Sequence, residues 1–384
     1  MAKEVTRYIK REVERELWAR AAGRCQFDGC NRHVFKSPVT QEQVNISEKA
    51  HIYSFSENGP RGWGPFVTNR DRLNDVSNLM LVCQDCHKTI DQDITGERYS
   101  AELLLGWKDE HERRIAIVTG IDPSKKSHVI LYGANIGEQT SKLQPEAAKN
   151  ALFPDWYPAE ECTIQLSMSW EGKDDQDHYW KTEAQNLKNA FNRQVRPLLD
   201  GGDAHHLSIF ALAPMPLMMT LGAALTDKVP VQVYQFHREP FPTWKWLDGP
   251  ANFAFRVNQP ASFDHPPALL ISLSDYIAPA RVTAILGEAV SIWELTIERP
   301  NNDFLKSKEQ LSQFRETARQ LMVDIGRAHG KNTPLAIFPA MPVACAIELG
   351  RVRMPKADNQ WVVYDHNNKH NKFISALEIG TNHD

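Results

Sequence analysis

Cys25-Gln-Phe-Asp-Gly-Cys30 and Cys83-Gln-Asp-Cys86-His87 set two short-spaced cysteine pairs, CxxxxC and CxxC, into the first quarter of the chain. Brought together, two such pairs offer four thiolates, the tetrahedral donor set of a structural Zn2+ site. A metal of this kind staples a small finger whose own apolar core is too slight to hold it. The spacing therefore assigns Cys25, Cys30, Cys83 and Cys86 to zinc. His87, directly after the last cysteine, is a fifth candidate ligand that can stand in for one of them. A blander reading of the quartet is a zinc ribbon that only binds a partner.

Local patterns extend outward from the quartet. Residues 4–24 read as a helix, with Val5, Ile9, Val13, Leu17 and Trp18 recurring every three to four positions. Residues 45–52 and Leu79–Val82 read as short strands, and 56–76 as a turn-rich loop. Ser100 is placed to cap a helix over 101–117. The breakers Gly120, Pro123, Gly133 and Gly137 mark 119–150 as a linker region between a first domain, 1–118, and a second, 151–384.

The second domain repeats itself. Thr163-Ile-Gln-Leu is echoed by Thr296-Ile-Glu, Leu207-Ser-Ile-Phe-Ala-Leu-Ala-Pro-Met-Pro216 by Leu335-Ala-Ile-Phe-Pro-Ala-Met-Pro342, and Val231-Gln-Val-Tyr234 by Trp361-Val-Val-Tyr364. Thr163/Thr296, Phe210/Phe338 and Tyr234/Tyr364 are offset by 133, 128 and 130 residues. Helical patterns at 180–199, 217–227, 307–328 and 343–351 fall between the matched strands. Strands alternating with helices predict a parallel sheet with right-handed crossovers. Two Rossmann-like halves are expected, over about 155–275 and 285–380. Pro216 and Met341 sit where strands end and helices begin, at the crevice such sheets use for ligands. No GxGxxG and no P-loop follows either strand, which argues against dinucleotide redox cofactors and ATP hydrolysis. Downstream of Tyr234, Phe241, Trp244 and Trp246 with Arg238 and Lys245 suit base stacking and phosphate pairing. Packing of the same loop onto its domain is the plainer alternative.

The chain has 384 residues, 42% hydrophobic and 24% charged, which suits two or three folded domains. Its net charge is −4, with 18 basic and 18 acidic residues up to position 120 and 26 and 30 beyond it. Neither part is basic overall, so contact with nucleic acid must rest on local patches and a bound metal. Cys162 and Cys345, outside the quartet, read as buried structural thiols. No apolar signal segment and no run of 18 apolar residues is seen, so a soluble protein of a reducing compartment is expected.

The first domain resembles the HNH (ββα-metal) nucleases. The resemblance rests on Ala50-His51-Ile52, Gly59-Pro60-Arg61-Gly62, Asn78-Leu79, Cys83-Gln-Asp-Cys86-His87 and Ile90-Asp91, and covers about residues 5–115. It implies an α+β finger in which His51 is the general base, Asn78 orients it or its loop, and His87 binds a catalytic Mg2+ or another divalent ion. Many HNH enzymes have an aspartate ligand where this chain has Ala50. Glu48 is the first candidate to replace it, with Asp85 or Asp91 acting through water as alternatives. Arg61, Arg70 and Arg72, in the loop between His51 and Asn78, are candidate DNA-phosphate contacts.

The second domain resembles SAVED, a fused pair of CARF-like units that senses cyclic oligonucleotides. An HNH domain joined to SAVED resembles the effector nucleases of bacterial CBASS antiphage systems. That resemblance implies a cytoplasmic endonuclease that degrades double-stranded DNA when a cyclic di- or trinucleotide binds. It also implies a homo-oligomer that enlarges on ligand binding, with no membrane involved. Tyr234, Arg238, Trp244, Lys245, Trp246, Pro216 and Met341 are the candidate ligand contacts. The rival readings are a constitutive or modification-dependent restriction endonuclease and a non-enzymatic zinc module coupled to a ligand sensor.

Overall fold

A computed structural model of the chain describes residues 8–136, 143–167, 178–225, 228–250, 252–355, 357–367 and 371–380. Val5, Gly137 and the last two residues of the 217–227 pattern lie outside that set. The chain divides into two compact units at Asp122/Pro123.

In the first unit, α1 (Arg11–Ala21) buries Leu17 and Ala21 and ends in left-handed backbone at Ala22 and Gly23. Among the described residues it begins later than the sequence pattern suggested. Strand β1 (Ser47–His51) pairs antiparallel with β2 (Leu79–Cys83), His51 opposite Leu79 and Ser47 opposite Cys83. β2 is buried along its whole length and runs directly into α2 (Gln84–Asp91). In α3 (Ala101–Thr119), the Ser100 hydroxyl accepts the Leu103 N–H at 3.2 Å, the cap read from the sequence. Leu17, Ile52, the β2 side chains and Leu104 form the core.

The second unit opens with β3 (Lys126–Gly133), a strand that is almost wholly buried. The expected linker is therefore core. Its Gly and Pro residues flank a continuous apolar run, the mark of a parallel strand covered on both faces. After β3 come α4 (Pro145–Leu152), two short strands β4 (Tyr157–Pro158) and β5 (Ile164–Gln165), α5 (Tyr179–Gln194), α6 (Arg196–Asp200), β6 (Leu207–Leu212), α7 (Met215–Ala224) and β7 (Val231–Val233). These strands form one parallel sheet in the order β4-β3-β6-β7, with β5 also on β3. The chain then adds β8 (Arg256–Asn258), β9 (Pro267–Ser272), α8 (Pro279–Leu286), β10 (Ser291–Thr296), α9 (Lys308–His329), β11 (Leu335–Ala340), α10 (Val343–Val352), β12 (Trp361–Asn367) and β13 (Lys372–Ile379). The second sheet runs β13-β12-β11-β9-β10-β8, parallel from β10 to β12 and antiparallel at both edges.

The order β5-β3-β6-β7 repeats as β10-β9-β11-β12, so the duplication is real. Its boundaries shift, because β3 starts the first half and β9, expected at the end of that half, starts the second. The rings repeat too. Phe210 stacks on Tyr234 at 4.3 Å and meets Trp244 edge-on at 5.2 Å; Phe338 stacks on Tyr364 at 4.4 Å and meets Phe373 edge-on at 5.1 Å. Cys345 is buried as expected, whereas Cys162 is exposed, beside the short strand β5.

Equivalent helices α7 and α10 pack against each other at equivalent glycines. A Cβ on Gly222 would collide with the Ile347 carbonyl, and one on Gly350 with the Met219 carbonyl. Both partners are backbone, so neither can rotate away. Gly222→Ala and Gly350→Ala are each expected to destabilise the second unit by about 1–3 kcal/mol or more, read as a lowered unfolding temperature. Gly326→Ala in α9, where a Cβ meets only Asn359 Oδ1 at 3.5 Å, is the control and should be neutral or mildly stabilising.

Candidate functional site

The four predicted sulfurs converge. The Sγ atoms of Cys25, Cys30, Cys83 and Cys86 all lie within 4.8 Å of one another, Cys30 and Cys83 at 3.9 Å, and none is in a disulfide. A Zn–S bond near 2.3 Å places tetrahedral sulfurs roughly 3.8 Å apart, so the cluster fits that ion. The Cys83 N–H donates to Cys25 Sγ at 3.3 Å. Burial pushes the Cys25 thiol up to about 12. A central cation reverses that cost by stabilising thiolate. Asp85 lies next to the cluster in sequence, paired with Arg32 at 2.9 Å.

His51 ends β1, half-buried, with its Nε2 2.9 Å from Asn74 Oδ1. The Asn74 amide nitrogen donates to the Tyr8 carbonyl at 3.4 Å, which turns the amide oxygen toward the ring. An amide oxygen can only accept, so Nε2 is the donor in this contact. The sequence does not point to Asn74. It lies in a 3-10 turn, Arg70–Asn74, within a polar stretch that has no period to single it out.

Asn78 is buried and acts on backbone. Its Oδ1 accepts the Tyr53 N–H at 2.8 Å, and its Nδ2 donates to the Tyr53 and Leu73 carbonyls at 3.1 and 2.9 Å. It thereby ties the loop after His51 to the turn that carries Asn74. Arg61 is spent in the same way. Its guanidinium donates to the carbonyls of Ile52 (2.5 Å), Tyr99 (3.2 Å) and His51 itself (3.5 Å). Burial lowers its pKa. Arg61 is a brace for the His51 loop rather than a hand for DNA phosphate, which corrects its expected role. Arg70 lies over the Trp63 ring at 3.8 Å, and Arg72 pairs with Asp75 at 2.8 Å; both are exposed.

His87 sits on α2 with its Nδ1 3.3 Å from Asp91 Oδ2, one turn on. A carboxylate on one ring nitrogen presents the other, Nε2, for a metal. Glu48 pairs in register with Val82, and strand alternation puts it on the opposite face of β1 from His51. Among the described residues, the cysteine quartet is the only set of three or more His, Cys, Asp or Glu ligand atoms gathered this closely.

In the second unit, the expected ligand contacts Tyr234, Trp244, Pro216 and Met341 are buried side chains. The Tyr234 face is taken by Phe210, so it packs the core instead of stacking a base. Trp246 is half-buried, 6.0 Å from His237. Arg238 and Lys245 are exposed. Trp244 and Lys245 also line a cavity of about 340 Å³ with residues of α4.

Comparison with known proteins identifies both units. Residues 25–94 match an HNH endonuclease domain, HNH_2. Residues 187–379 match SAVED, the "SMODS-associated and fused to various effectors sensor domain". No curated protein matches the chain. Among solved structures, the Acinetobacter baumannii Cap4 SAVED/CARF-domain containing receptor with the cyclic trinucleotide 2′3′3′-cAAA is 13% identical, with a TM-score of 0.43, covering 77% of this chain and 60% of that one. The Moraxella osloensis Cap4 receptor is 14% identical, with a TM-score of 0.37, covering 77% and 58%. This chain thus spans less than two thirds of their length. With half of its residues matched, the chain belongs to the SAVED family, here joined to an N-terminal HNH endonuclease domain.

Proposed function

We propose that the protein is a metal-dependent DNA endonuclease that a cyclic oligonucleotide switches on, an effector of CBASS-type antiphage defence. The observation that carries this reading is the joining, in one chain, of an HNH endonuclease domain to a SAVED sensor domain. A nuclease fused to a sensor needs a reason to stay silent until a signal arrives. A ligand supplies that only if it binds the active state, here an enlarged homo-oligomer, better than the resting one. The ligand class, a cyclic di- or trinucleotide, is the one the sensor family implies.

In the nuclease unit, His51 takes a proton from the attacking water at Nδ1 while Asn74 holds Nε2–H. The new bond forms between the water oxygen and phosphorus, and the bond from phosphorus to the leaving 3′-oxygen breaks. Asn78 and Arg61 keep the His51 loop in place through main-chain hydrogen bonds. His87, oriented by Asp91, is the ligand for a divalent ion such as Mg2+; Glu48, turned to the opposite face of β1 from His51, is not placed to join it. When bound, that ion supplies charge neutralisation of the scissile phosphate. Arg70 and Arg72, exposed beside this loop, are the remaining candidate contacts to double-stranded DNA.

Plasmid degradation by the purified protein in Mg2+, with and without a panel of cyclic di- and trinucleotides, tests the proposal. Cutting is expected only with one or two of the ligands; equal cutting without any favours the restriction-type reading. His51→Ala should lower the rate by about 10²–10⁴-fold with the fold intact. Asn74→Ala should lower it less, with partial recovery in Asn74→Asp, whose carboxylate still accepts from Nε2–H. Chelation of zinc, or Cys83→Ser, should unfold the first unit, because structural zinc binding contributes on the order of 10 kcal/mol to such fingers. Metal analysis showing no zinc, or a first unit indifferent to chelator, would contradict that assignment.

A further inference from the structure

The two halves of the sensor unit carry the same ring cluster, but they close it differently. In the second half Phe373 comes from β13, which pairs along β12 from Asn367–Lys372 to Trp361–Ile379, and α8 packs against that strand. In the first half the matching hairpin is cut to a single bridge, His237 to Thr243, after which the chain leaves the sheet. Phe236 and Trp244, 5.0 Å apart, take the positions of His366 and Phe373, 5.6 Å apart. Among the described residues no strand follows them along β7. The cavity of about 340 Å³ lies between this shortened hairpin and α4, next to Leu212 at the carboxyl end of β6.

Its lining is divided by chemistry. Ala147, Ala151, Phe236 and Trp244 form an apolar floor of small side chains and rings. Gln144, Asn150 and Lys245 are exposed and stand at its rim. A nucleobase asks for this combination, an apolar bed for its faces and amides for its donor and acceptor edges. A flanking phosphate asks for an ammonium. The volume is at the low end for small-molecule sites, which suits one base with its sugar and not a whole ring of two or three nucleotides.

We propose that this cavity is the subsite for a single nucleobase of the activating cyclic oligonucleotide, with Gln144 and Asn150 reading the base edge and Lys245 pairing with the adjoining phosphate. The inference rests on the sensor reading above and adds to it. The two halves read the ligand unequally, because the truncated hairpin opens the first half where β13 closes the second.

Isothermal titration of the full chain with the same panel of cyclic di- and trinucleotides tests it, wild type beside Ala147→Phe, Asn150→Ala and Lys245→Ala. Ala147→Phe fills the floor and should weaken the best ligand at least tenfold. Asn150→Ala lies on the exposed rim, so it leaves the fold intact, and it should change the ranking of ligands that differ in one base. Lys245→Ala should weaken binding and flatten its salt dependence. Wild-type binding that all three variants reproduce within twofold overturns the subsite and leaves the sensor reading standing. A wild type that binds no member of the panel overturns both.

Discussion

The nuclease unit depends on four sulfur atoms held within 4.8 Å of one another. Two of them, Cys83 and Cys86, bracket the junction where β2 becomes α2; the other two close the knuckle at residues 25–30. Fixing that junction fixes the elements that carry both histidines. β2 holds β1 and so His51 at its end, and α2 carries His87. The unit has one modest core, in which two of the four cysteines are themselves buried. Near this anchor two polar side chains are aimed at backbone. Asn78 and Arg61 spend their donors on carbonyls of the loops that flank His51, which leaves its ring little freedom.

The sensor unit is built on a different constraint, the close approach of α7 and α10. Gly222 and Gly350 stand at equivalent positions, and each admits the other helix's backbone. The Gln235 side-chain oxygen, just beyond β7, accepts the Ala344 N–H in the first turn of α10 at 3.2 Å. The first half thereby caps a helix of the second. Inside this near-symmetric frame the halves differ at their edges, where one ends in a full hairpin and the other in a single bridge.

Much of this was legible in the sequence. Cysteine spacing is a local property, and it named the quartet. The Ser100 cap and the strands around His51 and Leu79 follow from short-range pattern. The repeat was visible because the strand–proline–helix passages at Leu207 and Leu335 kept their wording. The strands β3 and β9, which open the two halves, carry no such mark. Their buried runs, Val129–Tyr132 and Ala268–Ile271, lack the alternation that marks a half-exposed strand, and nearby glycines and prolines read as punctuation. Arginines between His51 and Asn78 read as charges. Only the fold reveals that Arg61 faces three carbonyls and that Asn74, unmarked by any motif, meets the His51 ring. Tertiary partners of this kind leave no trace in spacing.

The central claim is that ligand occupancy sets nuclease activity. The most direct measurement titrates one activating cyclic oligonucleotide into the full chain and follows, in parallel, ligand binding and the rate of plasmid cleavage in Mg2+. The account predicts a rate near zero without ligand that rises with occupancy and levels off when the sites are full. A rate that stays flat while ligand binds, whether high or zero throughout, would contradict it.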